Sequence, residues 1–134
     1  MAYQGYLIKV GSYTIPLSLI KADSYSVFMS ITDLDSYVDA NGVLHRNALD
    51  HVANKVEFET VPMLDHAQFA NFMSNIRSQF TIPKERKANV ECYIPETDSY
   101  VTQEMYMPDI KPQMYLASST EIQYDAVRLA FIGY

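Results

Sequence analysis

Hydrophobic and polar residues alternate along most of the chain, and this period of two predicts β-strands. The alternation is clearest in residues 51–61, where Val52, Val56 and Phe58 fall on one face and charged residues on the other. Such a pattern is typical of a half-buried antiparallel strand. In residues 127–132 both faces are largely apolar, which predicts a strand that is central in its sheet or covered on both sides. Further strand-like runs cover residues 6–10, 13–19, 25–32, 80–82, 87–94, 99–107 and 121–126.

Proline limits where one of these strands can lie. Gly11 and Ser12 form a candidate turn between the first run and residues 13–19. Pro16 lies within that second run and cannot donate a backbone hydrogen bond. We therefore expect residues 13–19 to form an edge strand or a bulged strand.

One segment, at about residues 65–77, has the helical period instead. Asp65 can cap its first turn, and Gln68 follows three residues later, as in a capping box. Apolar residues then recur with the spacing that places them on one helical face, which predicts a helix packed against a sheet. The members of this stripe are Phe69, Phe72, Met73 and Ile76.

The order of elements is strands, one helix, then more strands, which predicts a mainly β fold with one helix (α+β). We expect an antiparallel β-sandwich or barrel with a flanking helix, in a single domain that spans residues 1–134. Its length of 134 residues suits one core, and its apolar content of 49% is ordinary for a globular protein.

The formal net charge of −6 argues against a nucleic-acid-binding module, which needs a basic surface to displace counterions from phosphates. It does not argue against a protein that surrounds DNA without gripping it. The first residues lack the pattern of a signal peptide, and no apolar run approaches the roughly 20 residues of a membrane helix. We therefore expect a soluble, unsecreted protein that does not bind membranes.

The chain lacks the usual motifs of catalysis and of metal or cofactor binding, so we expect neither an enzyme nor a cofactor. The single cysteine, Cys92, lies in a strand-like run and is expected to be a small buried apolar residue. The three histidines do not have metal-ligand spacing. Asp33, Asp35 and Asp39 resemble the start of a calcium loop, but Val38 and Leu44 stand where its glycine and glutamate should be. The basic residues 83–87 predict a solvated hairpin tip, with phosphate or partner contact as the alternative.

A long connection of about residues 34–48 separates two predicted strands. Such connections are uncommon in small domains and are usually functional, disordered or ordered by a partner. Asn41 and Gly42 form a strong turn dipeptide, because both tolerate a positive φ. Apolar residues flank this turn on both sides, which favours an arm that packs on a neighbouring chain. These apolar residues are Tyr37, Val38, Val43 and Leu44.

Several segments together resemble a short tail protein of phages and prophages of Gram-positive bacteria. They are "YSVFMSITDLDS", "NGVLHRNAL", "KVEFETVPML" and "FANFMSNI". A W-x-x-L-like step is typical of that family, and residues 60–64 stand in its place without the tryptophan. The small and charged residues that match the family pattern are Ser24, Ser26, Asp33, Asp35, Ser36, Gly42 and Arg46.

The order of elements also resembles the phage tail-tube fold, in which a β-sandwich is flanked by one helix. The resemblance implies a virion protein, made in the cytoplasm of the host bacterium, of the tail tube or of the distal tail and baseplate hub. It implies self-assembly into hexameric rings around a DNA-conducting lumen, beside other tube, tape-measure and hub proteins. A head–tail connector, a tail-terminator adaptor and a small ligand-binding β domain are the alternatives. The residues expected in the intersubunit arm are Tyr37, Val38, Asn41, Gly42, Val43, Leu44 and Arg46.

Overall fold

The computed structural model describes residues 3–134, except for the side chains of Ser30 and Thr32. The described residues form mostly antiparallel β-structure with one α-helix, which confirms the predicted fold class. Met1 and Ala2, which begin the segment that lacks a signal-peptide pattern, lie outside the described residues. The strands are β1 (Ile8–Val10), β2 (Tyr13–Thr14), β3 (Ser26–Asp33), β4 (Tyr37–Val38), β5 (Leu44–His45), β6 (Ala48–Glu59), β7 (Leu64–Asp65), β8 (Lys87–Ile94), β9 (Ser99–Tyr106), β10 (Met114–Ala117), β11 (Ile122–Tyr124) and β12 (Arg128–Gly133).

Seven strands form the main sheet, in the order β2-β1-β8-β9-β12-β6-β3. The strand β12 lies between β9 and β6, which confirms the central position predicted from its two apolar faces. The strand β3 forms one edge of the sheet, and β2 forms the other. A second sheet has the order β10-β11-β7, and β4 pairs with β5 in a separate hairpin.

The helix α1 (His66–Arg77) packs on the main sheet through the apolar stripe that the sequence predicts. The Asp65 side chain accepts a hydrogen bond from the Gln68 backbone N–H at 2.7 Å, and the Gln68 side chain returns to the Asp65 backbone N–H at 3.3 Å. This is the predicted capping box. The helix side chains buried in the core are Phe69, Phe72, Met73 and Ile76.

The prediction of a strand through residues 13–19 is wrong in its second half. The strand β2 ends at Thr14, and a short 3-10 helix spans Leu17–Leu19. Pro16 precedes this 3-10 helix with an extended backbone. Because proline lacks an N–H, the chain cannot continue the sheet ladder there and turns away. The strand β10 was not predicted; its four side chains are all exposed, so no face alternates with a buried one.

Among the described residues, no helix is long and apolar enough to cross a membrane.

Candidate intersubunit arm

The long connection between β3 and β6 is itself a β-hairpin, formed by β4 and β5. We call residues 34–47 the arm. Its two strands pair with Tyr37 opposite His45 and Val38 opposite Leu44. At the root of the arm, the Leu34 N–H donates to the Asn47 carbonyl at 2.8 Å. The arm therefore extends the β3–β6 pair beyond the edge of the main sheet.

The turn at the arm tip differs from the two-residue Asn-Gly turn that the sequence suggests. The Gly42 N–H donates to the Asp39 carbonyl at 3.0 Å, and the Asp39 N–H donates to the Val43 carbonyl at 3.0 Å. This is a three-residue hairpin loop with a left-handed residue at its end. Gly42 is that residue, with φ +80°, whereas Asn41 has a negative φ. Glycine is favoured at position 42 because a side chain raises the energy of this backbone conformation.

Asp39 organises the tip, and the sequence analysis missed this role. Its Oδ1 atom accepts hydrogen bonds from the N–H groups of Asn41 at 2.9 Å and Val43 at 3.0 Å. Its Oδ2 atom lies 2.8 Å from His45 Nε2. The contact with His45, followed by the Val43 N–H, lowers the pKa of Asp39 below its ordinary value. Aspartate side chains in turns often accept a hydrogen bond from the backbone N–H two residues later. The position of Asp39 two residues before Asn41 could therefore have pointed to this role.

Aromatic stacking adds to these contacts across the hairpin. The Tyr37 and His45 rings are stacked, with centroids 4.8 Å apart and planes 13° from parallel. A cross-strand pair of this kind stabilises a hairpin by roughly 0.2–1 kcal/mol. His45, on β5, therefore contacts Tyr37 on β4 as well as Asp39 at the tip.

The root of the arm is held by an ion pair. Arg46 donates to Asp33 through Nε at 3.0 Å and through a terminal nitrogen at 2.8 Å. This bidentate contact lowers the pKa of Asp33 and raises that of Arg46. Arg46, predicted as an arm residue, thus has a partner in its own chain.

The arm exposes apolar side chains to solvent. More than half of the Tyr37, Val38, Val43 and Leu44 side-chain surface is exposed, and Leu34 at the root is 52% exposed. The contacts within the hairpin orient these side chains without burying them. An ordered element that presents apolar residues outward is typical of a surface that binds another protein.

The same end of the molecule has an open strand edge. The strand β3 is eight residues long and pairs only with β6 among the described strands. Phe28 and Ile31 on this edge strand are 51% and 61% exposed. A long apolar edge is a template for pairing with another chain. The opposite edge, β2, has two residues and is followed by Pro16, so it offers little to pair with.

The residues considered for catalysis are dispersed. Cys92 is buried, and burial raises the pKa of its thiol to about 11, so it is a poor nucleophile at neutral pH. His45 lies in the arm, His51 contacts the Tyr134 carbonyl, and the His66 ring accepts from the Ile122 N–H at 3.1 Å. Within residues 3–134, no three His, Cys, Asp or Glu side chains are grouped closely enough to hold a metal ion.

The basic residues 83–87 form a turn that leads from α1 into β8. The Glu85 N–H donates to the Ile82 carbonyl at 3.0 Å, and the Arg86 N–H donates to the Pro83 carbonyl at 3.1 Å. Arg86 is paired with Asp109 at 2.7 Å, and Lys87 is paired with Glu104 at 3.0 Å. Lys84 is exposed at the tip.

These features define a mainly antiparallel β protein of the α+β class that carries a projecting, apolar arm. The chain belongs to a family of unknown function, DUF6711, whose model matches residues 1–134. No curated protein matches the chain in sequence.

Two solved structures resemble this one. A chain from the virion of a native gene transfer agent particle is 14% identical with a TM-score of 0.50, covering 97% of this chain and 91% of that chain. A chain from the tail of an empty gene transfer agent particle with C6 symmetry is 16% identical with a TM-score of 0.49, covering 99% and 95%. At 14% identity, the similarity to the chain from the virion shows a shared fold and nothing more.

Proposed function

We propose that the chain is a structural protein of a phage-type tail and that it assembles through its arm. In this proposal, copies form rings, six to a ring as the sequence resemblance implies, in the tail tube or in the distal tail and baseplate. The rings surround a lumen that conducts DNA, and they contact other tail proteins. The fold shared with a chain from the virion of a gene transfer agent particle supports this role.

The arm is the observation that carries the proposal. Its hydrogen bonds, ring stacking and root ion pair keep it ordered, yet its apolar side chains remain more than half exposed. A contact with a second chain would remove this apolar surface from water, which stabilises an assembly by roughly 25 cal/mol per Å² buried. The open edge of β3 lies beside the arm root and enlarges the surface available to a neighbour.

Replacing residues 36–46 by an Asn-Gly turn tests the proposal. The Leu34 N–H and the Asn47 carbonyl already form a hydrogen bond, so a short turn can join the two ends. We expect the wild type to form rings or tubes in negative-stain images and in light scattering. The shortened protein should remain folded, with an unchanged melting temperature, and should not form rings or tubes.

Point variants give a sharper comparison. Val38→Ser and Leu44→Ser remove apolar surface from the arm, whereas Leu17→Ser removes it from a side chain on the 3-10 helix that is 44% exposed. We expect the first two to weaken assembly and the third to leave it unchanged. Normal rings from the shortened protein would show that the arm is not an assembly element. A wild type that stays monomeric at high concentration and with tail proteins present would contradict the function itself.

A further inference from the structure

An apolar groove lies between β6 and β9 at the same end of the molecule as the arm. The strand β12 ends at Gly133, and beyond it the Gln103 side chain connects the two neighbouring strands. Gln103 accepts from the Asn54 N–H at 3.1 Å and donates to the Val52 carbonyl at 3.1 Å. The groove is open to solvent and has a volume of about 350 Å³. Its lining residues are Met29, Val52, Asn54, Val101, Thr102 and Gln103.

This end of the molecule carries nearly all of the net charge. Residues 33–50 and 94–99 contain six carboxylates and one cation, Arg46, so they account for five of the six net negative charges. The two segments lie together, because β3 and β6 meet at Asp33 and Ala48, and the β8–β9 connection lies at the same ends of the strands. We call this region the acidic end. Asp50 belongs to it and lies two residues from the groove residue Val52 on β6.

A separate turn carries positive charge and an exposed apolar side chain, which complement the acidic end and its groove. Residues 82–87, the basic turn, combine the apolar Ile82 and Pro83 with three cations and one carboxylate. Ile82 is 38% exposed, and the backbone hydrogen bonds of the turn hold its shape. Among the ion pairs of the described residues, Lys84 does not take part in any.

We propose that the basic turn of one copy occupies the groove of a second copy, with Ile82 and Pro83 in the groove and Lys84 beside Asp50. This inference rests on the proposed function and names the contact between neighbours. Like charges oppose a contact between two acidic ends, whereas opposite charges favour the acidic end against the basic turn. The contact therefore joins different surfaces of identical chains.

One copy cannot fill its own groove. Lys87 pairs with Tyr106, and the groove residue Thr102 lies four residues along β9, which corresponds to about 13 Å of strand. The basic turn precedes Lys87 and so lies still further from the groove. A contact between different surfaces repeats from copy to copy, and it closes into a ring or continues as a filament.

Charge exchange tests this contact. We expect Lys84→Glu and Asp50→Lys each to weaken self-association at least tenfold in sedimentation velocity, because each places like charges together. The double variant restores opposite charges and should recover most of the wild-type association. Lys111→Glu and Glu121→Lys are matched reversals at other exposed positions, and they should change association less than threefold. Circular dichroism melting establishes that each variant is folded.

The outcomes separate this inference from the function on which it rests. If the wild type assembles but the exchanged pair does not recover, or if the control reversals act as strongly, the groove contact is wrong and the tail function stands. If the wild type itself remains monomeric, both the groove contact and the proposed tail function are wrong. Ile82→Ser gives a second measure, because loss of the apolar contact should weaken association without altering its dependence on salt.

Discussion

Asp39 shows how one side chain can order an exposed element. Its carboxylate accepts two backbone hydrogen bonds and contacts His45, so it joins the turn to the second arm strand. We expect Asp39→Ala to leave the core intact while the arm tip becomes mobile. Hydrogen exchange should then accelerate in residues 37–45 and remain slow in β6 and β8. Glu96→Ala, at an exposed position outside the arm, is the control, and equal exchange in both variants would contradict the role of Asp39.

The same carboxylate makes the arm tip sensitive to acid. The pKa of Asp39 in the folded arm lies below its ordinary value, chiefly through the contact with His45. A depressed folded-state pKa stabilises the tip fully above the ordinary pKa, and this stabilisation is lost as the pH falls through the lowered value. We expect the Asn41 and Val43 amide resonances to keep their folded positions down to that range and then shift together. Asp39→Asn should remove this transition.

Gln103 replaces backbone pairing where β12 ends. Its amide contacts the Asn54 N–H and the Val52 carbonyl, and Asn54 is only 6% exposed. Gln103→Met keeps the approximate size and removes these bonds together with the one from the Asn54 side-chain amide. We therefore expect a loss of about 1–3 kcal/mol in the free energy of unfolding. Urea denaturation measures this loss. Gln113→Met, at an exposed position, should have little effect, and similar losses in the two variants would argue against the bridge.

At the scale of elements, the capping box sets where α1 begins. Asp65 accepts from the Gln68 N–H, which would otherwise lack a helical partner. We expect Asp65→Ala to lower the free energy of unfolding by about 1 kcal/mol in urea denaturation. Glu121→Ala, which changes an exposed carboxylate outside the helix, is the control. An unchanged midpoint for Asp65→Ala would show that the capping box contributes nothing.

Elements whose signal is local could be predicted from the sequence. The strand β6 alternates buried Val56 and Phe58 with charged residues, and α1 combines a cap with an apolar stripe, so each pattern identified its element. The strand β10 could not be found this way, because a fully exposed strand has no buried face. The segment around Pro16 misled the prediction, because its apolar residues alternate while its backbone cannot stay in the sheet.

The arm was predicted only in part, for a similar reason. Asn41 and Gly42 signalled a turn, and the apolar residues beside them suggested an exposed surface. The pairing of Arg46 with Asp33 depends on the register of β3 against β6, which shifts between Ile31 and Asp33. A register shift is set by the folded sheet and leaves no mark in the spacing of residues. The groove likewise depends on where β12 ends between two strands that are distant in sequence.

At the scale of the whole molecule, repulsion between negatively charged copies opposes their association through the exposed apolar surfaces. The net charge is −6 at pH 7, and the isoelectric point is about 4.9. Repulsion between like-charged copies limits nonspecific contact at neutral pH, and this repulsion disappears near the isoelectric point. The exposed arm and the open edge of β3 can then associate without order. We expect turbidity to rise sharply as the pH falls towards 4.9.

The protein with residues 36–46 replaced by a turn separates the contribution of the apolar arm from that of the net charge. It loses one carboxylate, Asp39, and one cation, Arg46, together with the apolar arm residues, so its formal net charge stays at −6. It should therefore reach its isoelectric point at nearly the same pH and show much less turbidity there. Turbidity equal to that of the wild type would indicate that the arm does not cause the association. The edge of β3 would then be the surface to change next, with Phe28→Lys and Ile31→Lys as charged substitutions that block strand pairing.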